Sequence, residues 1–224
     1  MLDSIIAETA KGYLLEERHA GETQTIDKDA LVGLFLETVT LKRLPRAGWL
    51  ARNVPHVESV AEHSFGVAFV ALALAEVLQA EARLQPDQVT LDLEVVLVMA
   101  LLHDLAEVRL TDLPTSAVRL MPAGVKSQAE AKAMEDLLEP LPVAGRWTSL
   151  WQQFEDSATP EGRLVRDADK LEMMVQCLRY EQAGSRGLDE YWQSMDRREW
   201  HYPLCAELYA RLRGMRPSGL HLTS

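Results

Sequence analysis

The chain has 224 residues, 47% of them hydrophobic and 25% charged, which is enough apolar material for one sizeable core and the wrong balance for a disordered or low-complexity polymer. Its 34 acidic residues outnumber 23 basic ones, and the formal charge of −11 argues against a partner among nucleic-acid polymers or anionic membranes. A small anion remains acceptable at a site that carries its own cations. Cys177 and Cys205 form no C-x-x-C pair, so the reading is two buried thiols and not a disulfide framework or a thiolate zinc site.

Apolar residues recur at helical spacing almost throughout, and alternating runs bounded by turn residues are hard to find, so the expected class is all-α: a compact multi-helix bundle forming a single domain over 1–224. An N-terminal helical extension (1–26) carries Ile5, Ile6 and Leu14. Asp27 is then placed to cap a segment with Leu31, Leu34, Phe35, Val39 and Leu41. Between Pro45 and Pro55 the pattern breaks into an Arg-rich loop containing Trp49. Glu58 to Gln79 reads as a long buried helix, Ala80 to Gln88 as an exposed connection, and Leu91 to Val108 as a central helix apolar on nearly every side. Pro114 and Pro122 bracket an irregular region. A charged helix follows at Ser127 to Leu138, a connection at Pro140 to Gly145, a strong helix at Gly162 to Tyr180, and a last helix with a frayed tail within Trp200 to Ser224. The longest apolar run, Phe65 to Ala75, is too short to span a bilayer, and the first residues lack the layout of a signal peptide, so a cytoplasmic location is expected.

The most apolar helix ends in His103-Asp104, with Glu107 four residues after the histidine and, on a continuous helix, on its face. Ionisable groups buried there without partners would each cost several kcal/mol, of order 2–7 even for a neutral polar group, so they need hydrogen bonds or a cation. A capped helix end with a hydrogen-bonded core histidine accounts for these residues alone. Two other helices weigh against that: one carries His63 near its start, and another carries Asp167 and Asp169 near its own. His63, His103, Asp104 and Asp169 together offer two imidazoles and two carboxylates, a mixed N/O set suited to a divalent metal such as Mn, Fe, Co, Ni or Zn. Asp167 reads more naturally as a helix cap.

A lone histidine, an H-D pair about forty residues on and a later aspartate resemble the pattern of the HD-domain phosphohydrolases. The surrounding words LKRLPRAGWLARNV, ESVAEHS, HDLAE with the Asp112 of TDLP, and DADKLE resemble the small all-α 5'-deoxynucleotidases, the YfbR-like branch and its eukaryotic relatives, over roughly Asp27 to Tyr191. The segment 192–224 is left as a C-terminal helix and tail. The resemblance implies a divalent metal (Mn, Co, Fe, Ni, Zn or Mg) on His63, His103, Asp104 and Asp169, and hydrolysis of the phosphate ester of nucleoside 5'-monophosphates, deoxy forms above all. It further implies Glu107 and Asp112 as acidic residues at the reaction centre, Arg43 as the phosphate contact and a homodimer. Leu44 stands where the bacterial enzymes have Trp, with Trp49 further along the loop, and Lys42, Arg46 and Arg52 are read either as solvated loop or as a phosphate-collecting rim. Two other functions fit the same pattern: an HD phosphohydrolase for nucleoside triphosphates, cyclic nucleotides or another phosphorylated metabolite, and an inactive HD scaffold used for binding.

Overall fold

The computed structural model of the chain describes residues 26–82 and 90–217, so the expected extension before Ile26, most of the 80–88 connection and the last seven residues lie outside it. The described part is all-α. Its only non-helical pairing is an isolated antiparallel bridge between Pro45 and Ser59.

Helix α1 (Lys28–Thr38) starts where Asp27 accepts the amide hydrogens of Asp29 and Ala30, as its sequence position implies. A 3₁₀ turn (Val39–Lys42) follows, and a short α2 (Ala47–Leu50) lies inside the Arg-rich loop. Helix α3 (Val60–Ala82) runs past Gln79, and its 23 residues make it long and apolar enough to cross a membrane by length and composition, which the shorter apolar run alone does not suggest. In this fold it is a central element: Val67, Ala71, Leu74 and Ala75 are buried, and α3 packs on α4 (Leu93–Leu102) and on α9 (Pro160–Gln182).

The expected single helix from Leu91 to Val108 divides. Helix α4 stops at Leu102, four turn residues follow, and α5 (Glu107–Leu110) resumes. No Gly or Pro marks the break. Instead the backbone tightens to i→i+3 bonding, with Leu105 N–H donating to Leu102, Glu107 to Asp104 and Val108 to Leu105. Three residues per turn then set Asp104 and Glu107 on one side. Short α6 (Thr115–Val118), α7 (Val125–Leu138) and α8 (Ala144–Glu155) lead to α9, which Thr159 caps, and then to α10 (Asp189–Asp196) and α11 (Pro203–Gly214).

Asp167 is therefore not a cap. It lies in the body of α9, fully buried, and accepts from Arg198 and from the amides of His201 and Tyr202, tying the segment before α11 to the core. Two apolar clusters fill the bundle. One holds Val67, Met99, Ala100, Ala168 and Leu171, the other Val60, Leu102, Leu105 and Met134. His63 on α3 and His103 just past the end of α4 are each flanked by apolar residues of both clusters, Val67 and Val60 for the first and Met99 and Leu102 for the second, so both lie at the seam where the two cores meet.

Candidate metal centre

His63 is completely buried and His103 nearly so, and their Nε2 atoms stand 3.4 Å apart. The outer nitrogens are both engaged. His103 Nδ1 is 2.7 Å from the Ala100 carbonyl, to which it donates, and His63 Nδ1 is 2.5 Å from Glu172 Oε2. With the Nδ1 atoms protonated, both Nε2 lone pairs face inward, where Asp169 Oδ1 lies 3.3 Å from His63 Nε2, and Asp104 Oδ2 lies 3.2 Å from His103 Nε2 and 3.8 Å from His63 Nε2. Lone pairs and carboxylate oxygens converging on one point repel one another unless a positive charge sits among them.

The electrostatics state the same demand. Burial and the Arg46 charge would depress the His63 imidazole, yet hydrogen bonds to Asp169 and Glu172 carry it up to about 9. Burial would raise the Asp104 and Asp169 carboxyls, but His103, Arg46 and His63 hold the first, and Lys170, His63 and His103 the second, well below the usual carboxylate range. Glu107 behaves in the opposite way. Burial first, then the charges of Asp104 and Asp112, push it up to about 9, and its Oε2 is buried with no hydrogen-bond partner among the described residues. An orphaned buried carboxylate beside two inward lone pairs and two inward carboxylates is a donor set made for a cation, so these residues fit a divalent metal.

The centre forms one end of a cavity of about 640 Å³ whose walls include Arg46, Trp49, Arg52, Asp104, Glu107, Asp112, Asp169 and, from other elements, Lys126 and Tyr191. Residues 39–201 match the family model described as an HD domain. The chain belongs to the HD-domain family. This HD domain is 32% identical to the zebrafish protein named 5'-deoxynucleotidase HDDC2 across 73% of the chain and 76% of the relative, and 31% identical to the Dictyostelium discoideum protein of that name across 77% and 90%. In three dimensions it is similar to a conserved hypothetical protein from Pyrococcus furiosus, with a TM-score of 0.69 and 38% identity over 83% of this chain and 98% of that one.

The HD domain brings together seven of the residues singled out in the sequence: His63, His103, Asp104, Glu107, Asp112, Asp169 and Arg46. Arg43 is not among them. It is exposed, follows the 3₁₀ turn and does not line the cavity, whereas Arg46 donates Nη1–H to Asp104 Oδ2 at 2.9 Å. The reason lies in the backbone. Val60 N–H donates to Leu44 and Arg46 N–H to Glu58, pinning the 44–46 segment beside the start of α3, three residues before His63. Arg46 thus takes the place expected of Arg43. Asp112 accepts the Ala47 amide hydrogen at 2.7 Å and lies 4.0 Å from Arg46 Nε, so it secures the same loop from the other side. Asp112 is delivered by Thr111, a β-branched residue held at φ 68°, ψ 161°, a region that favours glycine.

Trp49 is only 2% exposed. It donates Nε1–H to Glu58 and packs against Tyr180 and Tyr191, with ring centroids at 5.4 and 4.3 Å, so it backs the wall whose outer face is Tyr191. Arg52, read either as solvated loop or as part of a phosphate rim, lines the cavity and is paired with Glu190 of α10.

Glu172 went unrecognised in the sequence although its signal was present: it follows Asp169 by three residues in α9 and so shares its face. Its carboxylate holds His63 in orientation, and a glycine makes room for it. A Cβ on Gly66 would lie 2.6 Å from Glu172 Oε1 and 2.8 Å from its Cγ. Gly66→Ala is therefore expected to push Glu172 off His63 and to weaken metal retention about 10–100-fold, the usual effect of losing a partner behind a ligating histidine. Chelator competition on the folded variant measures this, and unchanged metal affinity would remove Glu172 from the account.

Proposed function

We infer that the protein is a metal-dependent phosphohydrolase that removes the phosphate from nucleoside 5'-monophosphates, deoxyribonucleotides first. The observation that carries this reading is the convergence of His63, His103 and Asp169, with Asp104 beside both histidines and paired with Arg46, at the end of an open cavity. Relatives that match about three quarters of the chain and are named 5'-deoxynucleotidases support the substrate class.

His63, His103, Asp104 and Asp169 would hold the metal, and the mixed N/O set favours Mn, Fe, Co, Ni or Zn over Mg. A divalent cation there supplies a more acidic water and neutralises phosphate oxygens. Arg46 spends one of its five donors on Asp104 and offers others to the phosphate. Glu107, whose Oε2 has no partner among the described residues, would take the proton of the attacking water. Asp112 keeps the Arg46 loop in place through the Ala47 amide and faces the cavity, where it can accept a sugar hydroxyl. Tyr191, backed by Trp49, forms an aromatic wall for the nucleoside.

A second reading keeps the centre and changes the substrate to a triphosphate or another multiply phosphorylated metabolite. The cations Arg119 and Arg197 along the cavity favour it. Phosphate release from a panel of nucleoside 5'-mono- and triphosphates, deoxy and ribo, with and without added Mn or Co, decides between them. Fastest turnover of deoxynucleoside 5'-monophosphates, and only with metal, is the expected result. On that substrate Arg46→Ala should raise KM about 10–100-fold with metal content unchanged, since a charge-assisted contact is lost. Arg43→Ala should stay near wild type, and the reverse pattern would return the phosphate site to Arg43.

We further propose a cytoplasmic homodimer built from single-domain protomers. Free buried thiols at Cys177 and Cys205 suit a reducing compartment. Phe65 and Phe69, one turn apart on α3 and 73% and 66% exposed, offer an apolar face for self-association, which sedimentation of wild type and Phe69→Glu tests.

A further inference from the structure

A half-buried cation that the reading above leaves without a task stands on another wall of the cavity. Lys126, in the first turn of α7, lines the cavity and is ion-paired with Glu130 one turn later. Such i,i+4 pairs are ordinary on a solvated helix face, where they contribute little. Here Glu130 is only 8% exposed, and a buried carboxylate is costly unless it is paired. The acid is thus committed to the lysine, and the lysine is held at the cavity wall when its flexible stem would otherwise let it reach bulk water. Its ammonium charge is felt by Asp104 and Glu107, the same two acids that feel Arg46. Arg46 comes from the loop before α2 and Lys126 from α7, so the acids of the centre lie in the field of cations delivered by two separate elements.

We propose that Lys126 is a second phosphate-contacting residue of this site, held in position by Glu130, and that it neutralises phosphate oxygens that Arg46 does not reach. The proposal rests on the phosphohydrolase reading for its place in a reaction, but its core is a statement about anion binding that does not require turnover. A phosphate dianion presents three equivalent terminal oxygens, and one guanidinium addresses two of them at most. A lysine is suited to the remaining contact, because it acts as a compact point charge with no requirement for planar geometry. Glu130 is a positioning residue: it touches the lysine and not the substrate.

Inorganic phosphate is the probe, titrated calorimetrically into the metal-loaded full-length protein, with far-UV spectra and metal content checked for each variant. Lys126→Gln should weaken phosphate binding about 10–100-fold, the range for a lost hydrogen bond to a charged group, while metal content stays constant. Lys126→Arg should restore part of the affinity. Glu130→Gln should weaken it less, and the double variant should bind no worse than Lys126→Gln alone, because a positioning residue has nothing left to position. A merely structural pair would instead lower thermal stability and leave phosphate binding as it was. Wild-type phosphate affinity in Lys126→Gln, or no measurable phosphate binding by the metal-loaded wild type, overturns the proposal. Failure of the wild type to hydrolyse any nucleotide, with phosphate binding still dependent on Lys126, would sink the nucleotidase reading and leave this inference standing.

Discussion

Asp104→Ala is expected to strip the protein of divalent metal and reduce phosphate release to background, while the far-UV spectrum stays helical. Asp104 Oδ2 is within 3.2 Å of His103 Nε2 and 2.9 Å of Arg46 Nη1, so its loss removes a ligand and also leaves a guanidinium facing two imidazoles with less to offset it. The backbone has little reason to fail, because α4 already ends at Leu102 and the following turn is held by main-chain bonds. His103→Ala should behave the same way. Asp169→Asn belongs with them and Asp167→Ala does not. Asp167 holds Arg198 and two amides of the segment before α11, so its loss should cost about 3–5 kcal/mol of stability, the scale of breaking a buried charged pair, with metal retained by the folded fraction. Elemental analysis beside thermal denaturation separates the two behaviours. Full metal content in both Asp104→Ala and His103→Ala would refute the centre as drawn.

The ligands were legible because ionisable residues stand out on helices that are otherwise apolar: His63 between Val60 and Val67, His103 after Met99 and Leu102. What the sequence hides is backbone detail. Nothing in HDLAEVRL marks the change from α-helical to i→i+3 bonding, since the switch needs no Gly or Pro, and Glu107 reaches the cavity through that tightened turn. The two residues between Arg43 and Arg46, Leu44 and Pro45, carry no periodicity either, so the choice of arginine depends on a pairing with Glu58 and Val60 that is non-local in sequence. Glu172 was missed for a different reason, since its spacing from Asp169 is visible but an acid behind a histidine is recognisable only once the two helices are known to pack. Lys126 had no signal at all: a lysine opening a charged helix looks like solvated surface until the burial of Glu130 is seen. Helices α8 and α10 were not among the expected elements although both are amphipathic, and α10 supplies Tyr191 and Glu190 to a cavity whose other walls lie far away in sequence.

The arrangement of charge also shows how an acidic protein accommodates an anionic ligand. With a net charge of −11 the long-range field opposes a phosphate ester, so attraction must be local. Arg46, Lys126 and Lys170 supply it at the cavity wall, and each is tied to an acid of the site or beside it, Asp104, Glu130 and Asp169 respectively. These pairs fix the cations against a low-dielectric floor, where a fixed charge acts on a ligand more strongly than one in water.

Glu107→Gln should retain metal and bind nucleotide while hydrolysis falls about 10²–10⁴-fold, the range for a general acid or base. The amide preserves shape and removes basicity. Glu107 Oε2 is buried with no partner among the described residues, and the residue is 5% exposed, so its role is set by what enters the cavity and not by a structural bond. Burial and the charges of Asp104 and Asp112 raise its proton affinity, and a cation held beside those carboxylates would offset the shift and leave Glu107 ionised to accept a proton from water. His63, His103, Asp104 and Asp169 would supply four protein donors to a bound metal, and a catalytic metal site differs from a closed structural one in leaving a position for water. Glu107, delivered by the tightened turn on the same side as Asp104, is placed to act on that water. Turnover, metal content and nucleotide affinity measured on the same preparation decide its role: loss of metal makes Glu107 a ligand, and full activity makes it a buried acid without a part in the chemistry.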